Sequence, residues 1–308
     1  MIACAACGGP LDERPVLRGF DRLYGNPGDY SVALCPACGS GRTLPLVSSD
    51  ELGGLYPPQY DAHGLPANPV LRGLATELFE RRYRRALASK PFSAIAERAP
   101  GRLLDVGSGR GDLGVVLGRR GWRVTGLEPS PEAVAEARSR GVETEEGTLT
   151  AAPPADGGYD AVVFSHSLEH VIEPFEDLSV ALELLQPGGL VLITLPNFGS
   201  WQARRFGSRW FHLDLPRHRT HFTGQGLGTL LQRTGFSGIR LATSTSADGL
   251  PMSLQYRLLG HRRLAAGAGR YASIAATLAL VPVTVAADKV AGGGDLLHAV
   301  AEKPRAAD

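Results

Sequence analysis

From about residue 101 onward the chain alternates short apolar runs with helical periodicity, and the first run breaks on a cluster of glycines. Leu103-Leu104-Asp105-Val106 reads as a strand that stops at Gly107-Ser108-Gly109-Arg110-Gly111. Residues 112–120 read as a helix closed by Gly121. Arg123–Glu128 is a second strand, and residues 131–140 a second helix with Pro131 near its first position. Val142-Glu143-Thr144 is a third, weaker strand, residues 159–164 a fourth, and residues 175–185 the next helix. A fifth strand at 190–195 is entered through Pro187-Gly188-Gly189. After a helix at 223–234, the last two strands are Ile239-Arg240-Leu241-Ala242 and residues 296–300. Repeated strand–helix units make neighbouring strands parallel and send each connection over a face. The expectation is therefore an α/β, doubly wound, mostly parallel seven-stranded sheet. Ligands of such sheets sit beyond the carboxyl ends of the strands.

All four cysteines precede this body, as Cys4-x-x-Cys7 and Cys35-x-x-Cys38 with 27 residues between the pairs. Each pair is followed by a glycine (Gly8, Gly39), which lets two thiolates face one tetrahedral ion. Four sulfurs fill such a shell, so the ion expected on Cys4, Cys7, Cys35 and Cys38 is structural zinc. Two disulfides or a redox pair are the alternatives. The opening Met1-Ile2-Ala3-Cys4-Ala5-Ala6-Cys7 has no charged leader, which favours reduced thiols and a cytoplasmic location. A redox pair would sit beside a strand–helix–strand unit, which the head lacks. The division expected is a zinc ribbon over 1–46, a linker with N-terminal helices over 47–100 and a ligand-binding core over 101–246. A helical insertion or cap over 247–294 and a last strand with tail over 295–308 complete it.

Charge excludes some functions. Lys+Arg 32 against Asp+Glu 31 gives a net charge of +1, which argues against a basic nucleic-acid clamp. Residues 271–287 carry no charge, yet Ser, Thr and Pro interrupt them and they are short for a ~30 Å hydrocarbon layer. No transmembrane span is expected there. A core helix is favoured over weak contact with a membrane surface. The Arg81-Arg82-Tyr83-Arg84-Arg85 run reads as the solvated face of a helix over residues 70–88, or as contacts to a substrate phosphate.

The glycine-rich turn between first strand and first helix lets a ligand approach the backbone. A dinucleotide fingerprint would place a third glycine at position 112, where Asp112 stands, and no Tyr-x-x-x-Lys pair occurs. Glu128 closes the second strand 17 residues past Gly111. A carboxylate there accepts hydrogen bonds from both hydroxyls of an adenosine ribose. The competing reading is an exposed charge at a strand end.

Together with Glu128-Pro129-Ser130, Tyr159-Asp160-Ala161-Val162, Ser167-Leu168-Glu169-His170-Val171 and Pro187-Gly188-Gly189-Leu190, this turn resembles the class I S-adenosylmethionine-dependent methyltransferases. The head, Leu55-Tyr56-Pro57 with Tyr60, and the run from Trp210-Phe211-His212 through Arg217-His218 to His221-Phe222-Thr223 are similar to a bacterial subgroup that begins with a zinc ribbon. That subgroup is linked to sugar, polysaccharide and natural-product pathways. The resemblance implies a Rossmann-like sheet in which Gly107, Ser108, Gly109 and Gly111 line the methionine part of S-adenosylmethionine. Asp105 would orient the turn or meet the amino group, and Glu128 would hold the ribose with Pro129 beside the adenine. Thr148 and Leu149 fall where the family contacts adenine. An acidic residue is common there, so this chain would use backbone groups. Ser165 and His166 would approach the methionine end.

A sulfonium is already activated, so the protein has to align the acceptor and exclude water, and a hydroxyl or carbon acceptor also needs a base. His170 stands four residues after His166 on the helix expected after the fourth strand, so the two would share a face. His170 is the candidate base, with His166 beside it, and the alternative is that His170 and Glu169 hydrogen-bond a loop. In residues 201–222 aromatics alternate with arginines and histidines, which suits a sugar ring near a phosphate. Candidate acceptor contacts are Tyr60, Trp210, His212, Arg217, His218 and His221, the alternatives being an ordinary surface loop or a metal site on His212, Asp214, His218 and His221. The acceptor expected is a small molecule: a sugar, a glycan precursor or a natural product. RNA methylation with the ribbon gripping RNA, a non-catalytic scaffold and a nicotinamide oxidoreductase are the competing functions. From the cysteine spacing, elemental analysis is expected to find about one zinc per chain. A folded head that carries no metal would overturn this.

Overall fold

The computed structural model describes residues 2–12, 14–56, 73, 77, 80–81, 93–149, 152, 156–261 and 268–305. Tyr60 and most of the helix and arginine run expected over 70–88 lie outside the described residues. The described Arg81 pairs with Glu77 four residues earlier (2.9 Å).

The head consists of β1 (Leu17–Gly19), β2 (Tyr30–Leu34) and β3 (Gly41–Leu44), followed by a short helix α1 (Ser49–Gly54). Ser48 accepts from Glu51 N while the Glu51 carboxylate accepts from Ser48 N, so α1 begins in a capping box. A short helix α2 (Ser93–Ala96) leads into the body. The body runs β4 (Arg102–Val106), α3 (Asp112–Gly118), β5 (Arg123–Glu128), α4 (Pro131–Ser139), β6 (Glu143–Glu146), β7 (Tyr159–Ser165), α5 (Pro174–Leu184) and β8 (Leu185–Pro196). It continues with α6 (Trp201–Phe206), β9 (Thr220–His221), α7 (Gly224–Thr234) and β10 (Ser237–Ser244), and ends with α8 (Gly249–Leu259), α9 (Ala268–Val290) and β11 (Leu296–Glu302).

Seven strands form one sheet in the order β10-β11-β8-β7-β4-β5-β6, parallel from β8 to β6, with β11 antiparallel to both its neighbours. This is the doubly wound arrangement expected. Alternation along the strands supplies both faces. Leu104, Val106, Val162, Phe164, Val191 and Ile193 pack toward α5 and α7, while Leu103, Ala161, Val163, Leu190 and Leu192 pack toward α3 and Ile95. One expectation needs correction. The Pro187-Gly188-Gly189 segment does not precede the fifth strand but lies within β8, which starts at Leu185 opposite Tyr159 and shifts register across the glycines.

The head does not stand apart. β3 pairs antiparallel with β9 (Gly41↔His221, Arg42↔Thr220), so the four-stranded head sheet β1-β2-β3-β9 takes its last strand from the body. Cys4, Cys35 and Cys38 share a core with Phe222 and Leu227. The deepest fastening is Arg217, with no exposed surface, whose Nη1 and Nη2 donate to both Asp21 oxygens (2.7 Å each). The same guanidinium donates to Asp214, at 2.6 Å from Nη2 to Oδ1.

Between β10 and β11 the chain inserts α8 and α9. Among the described residues no helix is long and apolar enough to cross a membrane. The described end of α9 is not a core helix: Val283 and Val290 are exposed, and the buried groups are Thr284 and Asp288. Asp288 accepts from Trp201 Nε1 (2.5 Å), Gln202 Nε2 and Thr245 Oγ1. A polar stripe, not an apolar one, pins this helix.

Asp21 and Asp214 are both held below the ordinary carboxylate range, since Arg217 outweighs the burial that would raise them. Their contribution is therefore complete above pH ~4 and lost as pH falls through the folded values. Arg217→Ala strands two buried carboxylates and is expected to cost about 3–5 kcal/mol in urea unfolding at pH 7. A loss under ~1 kcal/mol would show that the fastening is incidental.

Candidate active site

The carboxyl ends of β4, β5 and β7 meet at the glycine turn. Gly107, Gly109 and Gly111 all adopt left-handed backbone (φ 73°, 53° and 76°), which side chains rarely tolerate. A Cβ on Gly107 would come within 2.6 Å of the Ser167 Cβ, and one on Gly126 within 2.5 Å of the Ser108 hydroxyl. The backbone has to be bare here. Gly107 N and Ser108 N both donate to Leu127 O at the end of β5 (2.8 and 3.0 Å), and Ser167 Oγ donates to Val106 O (2.6 Å).

Glu128 is buried, not exposed. Its Oε2 accepts from Gly109 N (2.9 Å) and its Oε1 from Ser130 N (3.0 Å), so one carboxylate bridges the turn and the start of α4. Burial raises its pKa against those two hydrogen bonds. Asp105 sits deeper, its Oδ1 without a hydrogen-bond partner, and burial beside Glu128 and Asp112 pushes it up to about 7. The Ser108 hydroxyl is also buried and unpartnered. Asp112, where a dinucleotide fold would have glycine, pairs with Arg110 (2.8 Å) and Arg140 (2.7 Å) and is structural. Pro129 is exposed beside Glu128 and Leu149 is buried. Gly147 N donates to Glu128 O (3.1 Å), which brings the stretch before Thr148 to the same edge.

Ser165 and His166 are half-buried at the end of β7. The expected helix-face pairing of His166 with His170 is not found. His166 has a left-handed backbone (φ 58°) and His170 ends a short 3-10 turn (Leu168–His170), so no α-helix spans them. A residue other than glycine at positive φ is strained, and such strain gathers at functional sites. The residue that joins them is Glu169, fully buried, with His166 Nδ1 3.7 Å and His218 Nε2 4.0 Å from its Oε1. His170 Nδ1 lies 3.0 Å from Arg217 O and 3.2 Å from the Tyr56 hydroxyl, the loop contact that stood as the alternative to a base. Glu169 and Tyr56 had only minor places in the sequence reading. An acidic residue flanked within four positions by two histidines was the available signal.

Several candidate acceptor contacts turn inward instead. Arg217 is paired with both Asp21 and Asp214 and has no exposed surface. Trp210 is buried against Phe198 and His212. His212 Nε2 lies 3.1 Å from the buried Asp295 Oδ2, which raises its pKa despite burial. His221 pairs with Thr43 Oγ1 (2.9 Å) across the head–body seam, and burial lowers it to about 3. The metal set His212, Asp214, His218 and His221 is not assembled, for two of its members have these other partners. Only His218 of this group faces the cluster at Glu169, and burial lowers it to about 4.

At the head, Cys4 and Cys38 sulfurs are 3.7 Å apart, Cys7 and Cys35 3.4 Å, and all four lie within 4.8 Å of one another. A disulfide needs ~2.05 Å. Four thiolates on an ion at ~2.3 Å sit about 3.8 Å apart, which these separations approach. Gly39 N donates to Cys35 O and Gly8 N to Cys4 O (2.8 Å each), the knuckle turns that the following glycines allow.

The chain matches the family described as "Methyltransferase domain" over residues 79–241, more than half its length. It is 31% identical over 139 residues to a protein from Xanthomonas oryzae pv. oryzae (strain PXO99A) named ubiquinone biosynthesis O-methyltransferase, covering 42% of this chain and 58% of that one. A protein of the same name from Cronobacter sakazakii is 32% identical over 136 residues, covering 40% and 56%. The matches span less than two thirds of these curated relatives. Among solved structures, phosphoethanolamine N-methyltransferase 2 from Haemonchus contortus in complex with S-adenosyl-L-methionine superposes with a TM-score of 0.50 at 17% identity, over 73% of this chain and 53% of that one. That likeness is one of fold.

Proposed function

This chain belongs to the methyltransferase-domain family, and from that premise we propose that it moves the methyl group of S-adenosylmethionine to a hydroxyl on a small molecule. The observation that carries the reading is the buried Glu128, tied to Gly109 N across a turn where a Cβ on Gly107 would strike Ser167. Its remaining lone pairs suit the two ribose hydroxyls. The unpartnered Asp105 Oδ1 and Ser108 Oγ suit the amino group and carboxylate of the methionine part, so the bare turn and its orphaned polar atoms fit the cofactor. Pro129 borders the adenine, with Leu149 and the backbone around Thr148 opposite. When bound, S-adenosylmethionine supplies an electrophilic methyl carbon.

The chain's own residues then have to seat the acceptor and take its proton. Ser165 and His166 stand at the end of β7, next to the turn through Ser167. His166 is the better-placed base of the two candidate histidines. It is about a third exposed, and the buried Glu169 stands behind its Nδ1, where it would steady the imidazolium. His170 is already tied at Nδ1 to Arg217 O, so its part is to shape the floor of the site. The hydroxyl acceptor follows the relatives named for O-methylation. A sugar, glycan precursor or natural product is the class proposed. The cysteines of the head are proposed to hold structural zinc.

Adenosylhomocysteine is expected to raise the melting temperature of the protein. Glu128→Ala should weaken its binding roughly a hundredfold, the worth of two hydrogen bonds to a charge. Unchanged affinity in the variant would remove Glu128 from the ribose. Asp105 adds a pH signature. A carboxyl raised to about 7 must lose its proton to meet an ammonium, so adenosylhomocysteine affinity should fall about tenfold per unit as pH drops below 7. Calorimetry on Asp105→Asn should find that slope gone, and a slope that survives would show that another group causes it.

A further inference from the structure

We propose that Glu169, His170 and His218 bind a divalent first-row transition-metal ion, separate from the four cysteines, and that this ion holds the acceptor's oxygen. One ligating atom of each residue lies within 4.8 Å of the other two. Both Glu169 oxygens are buried and have no hydrogen-bond partner. A buried carboxylate without donors is costly and calls for a cation.

The two imidazoles do not supply those donors. His218 Nδ1 lies 2.8 Å from His212 O, and a carbonyl only accepts, so the hydrogen is on Nδ1 and the lone pair on Nε2. That Nε2 is 4.0 Å from Glu169 Oε1. His170 makes the same kind of contact, Nδ1 to Arg217 O at 3.0 Å, which places a hydrogen on Nδ1 and leaves Nε2 as the atom that could ligate. Two histidines each held at Nδ1 by a backbone carbonyl, with a carboxylate between them, make the ligand set and supporting shell that metal sites use. Two ligands on one ion at ~2.1 Å stand roughly 3.3 Å apart, so side-chain shifts of under about 1 Å close the site. Asp214, 3.9 Å from His218 Nε2, does not compete, because both its oxygens accept from Arg217.

Three protein ligands leave positions open for a substrate oxygen. His166 stands beside the cluster with Nδ1 3.7 Å from Glu169. This use of the ion rests on the methyl-transfer reading, whereas the ion site itself rests on geometry. The acceptor O–H, polarised by the ion, gives its proton to His166. The oxygen's electron pair then forms the bond to the methyl carbon as the carbon–sulfur pair returns to sulfur. An acceptor with two neighbouring oxygens, as in a catechol or a vicinal diol, would chelate best.

Manganese(II) is the probe, because it favours nitrogen and oxygen over thiolates and its free paramagnetic-resonance signal disappears on binding. The zinc-loaded full chain is expected to bind about one Mn²⁺, with nitrogen hyperfine coupling from histidine. Glu169→Gln and His218→Gln should each weaken binding at least about tenfold while adenosylhomocysteine still raises the melting temperature. Equal Mn²⁺ affinity in wild type and both variants would overturn the site. Bound Mn²⁺ without nitrogen coupling in the wild type would also overturn it, even if the variants fail to fold. Mn²⁺ binding without stabilisation by adenosylhomocysteine would keep the ion site and sink the methyl-transfer reading. Stabilisation without Mn²⁺ binding would do the reverse.

Discussion

Arg217 is the point on which the head, the loop after α6 and the candidate site all depend. Its guanidinium is clamped between Asp21 of the head and Asp214 of the loop, wholly out of water. Its carbonyl meanwhile accepts from His170 Nδ1. One residue thus fixes the head with its side chain and the site with its backbone. The next residue, His218, faces Glu169, and Arg219 N donates to Glu169 O (2.8 Å). A buried pair of this kind is weak evidence for net stability, since desolvation takes back much of the attraction. Its value lies in geometry, because any other placement leaves charges stranded.

The cysteine head reads differently in this light. Its sheet is finished by β9, Thr43 Oγ1 donates to His218 O (2.6 Å), and Thr223 Oγ1 donates to Cys38 O (2.6 Å). Arg42 reaches from β3 to Glu173 (2.6 Å) and to Ile172 O just ahead of α5. These bonds land on both flanks of the Glu169 cluster. An ion on the four cysteines would therefore stiffen the wall of the site, not merely a separate knob at the start of the chain.

Much of the fold was legible because strands buried on both faces leave continuous apolar runs, and glycines and prolines mark where they stop. The turn at residues 107–111 and Glu128 were legible for the same reason, since backbone geometry there leaves few residue choices. Long-range polar pairing was not. The same arginine-and-histidine content that suits a phosphate-bearing ligand also suits buried fastenings, and Arg217, His212 and His221 proved to be the latter. Helical spacing misled at His166 and His170, where a strained residue and a short 3-10 turn replace the α-helix. Nothing in local sequence tells a reader that Asp21 lies against residue 217.

Two buried carboxylates at the sheet edge complete the logic. Asp105 is surrounded by acids, with Glu128 and Asp112 near it, and the cheapest way to bury it there is to keep its proton until a cation arrives. Glu169 is surrounded by histidines, which hold its carboxyl well below the ordinary range despite full burial, while its two oxygens have no hydrogen bond. On the proposed reading the ammonium of a bound cofactor answers the first, and a metal ion answers the second. Where environments push two acids in opposite directions a few residues from one turn, separate roles follow. On that reading one acid seats the donor and the other the acceptor.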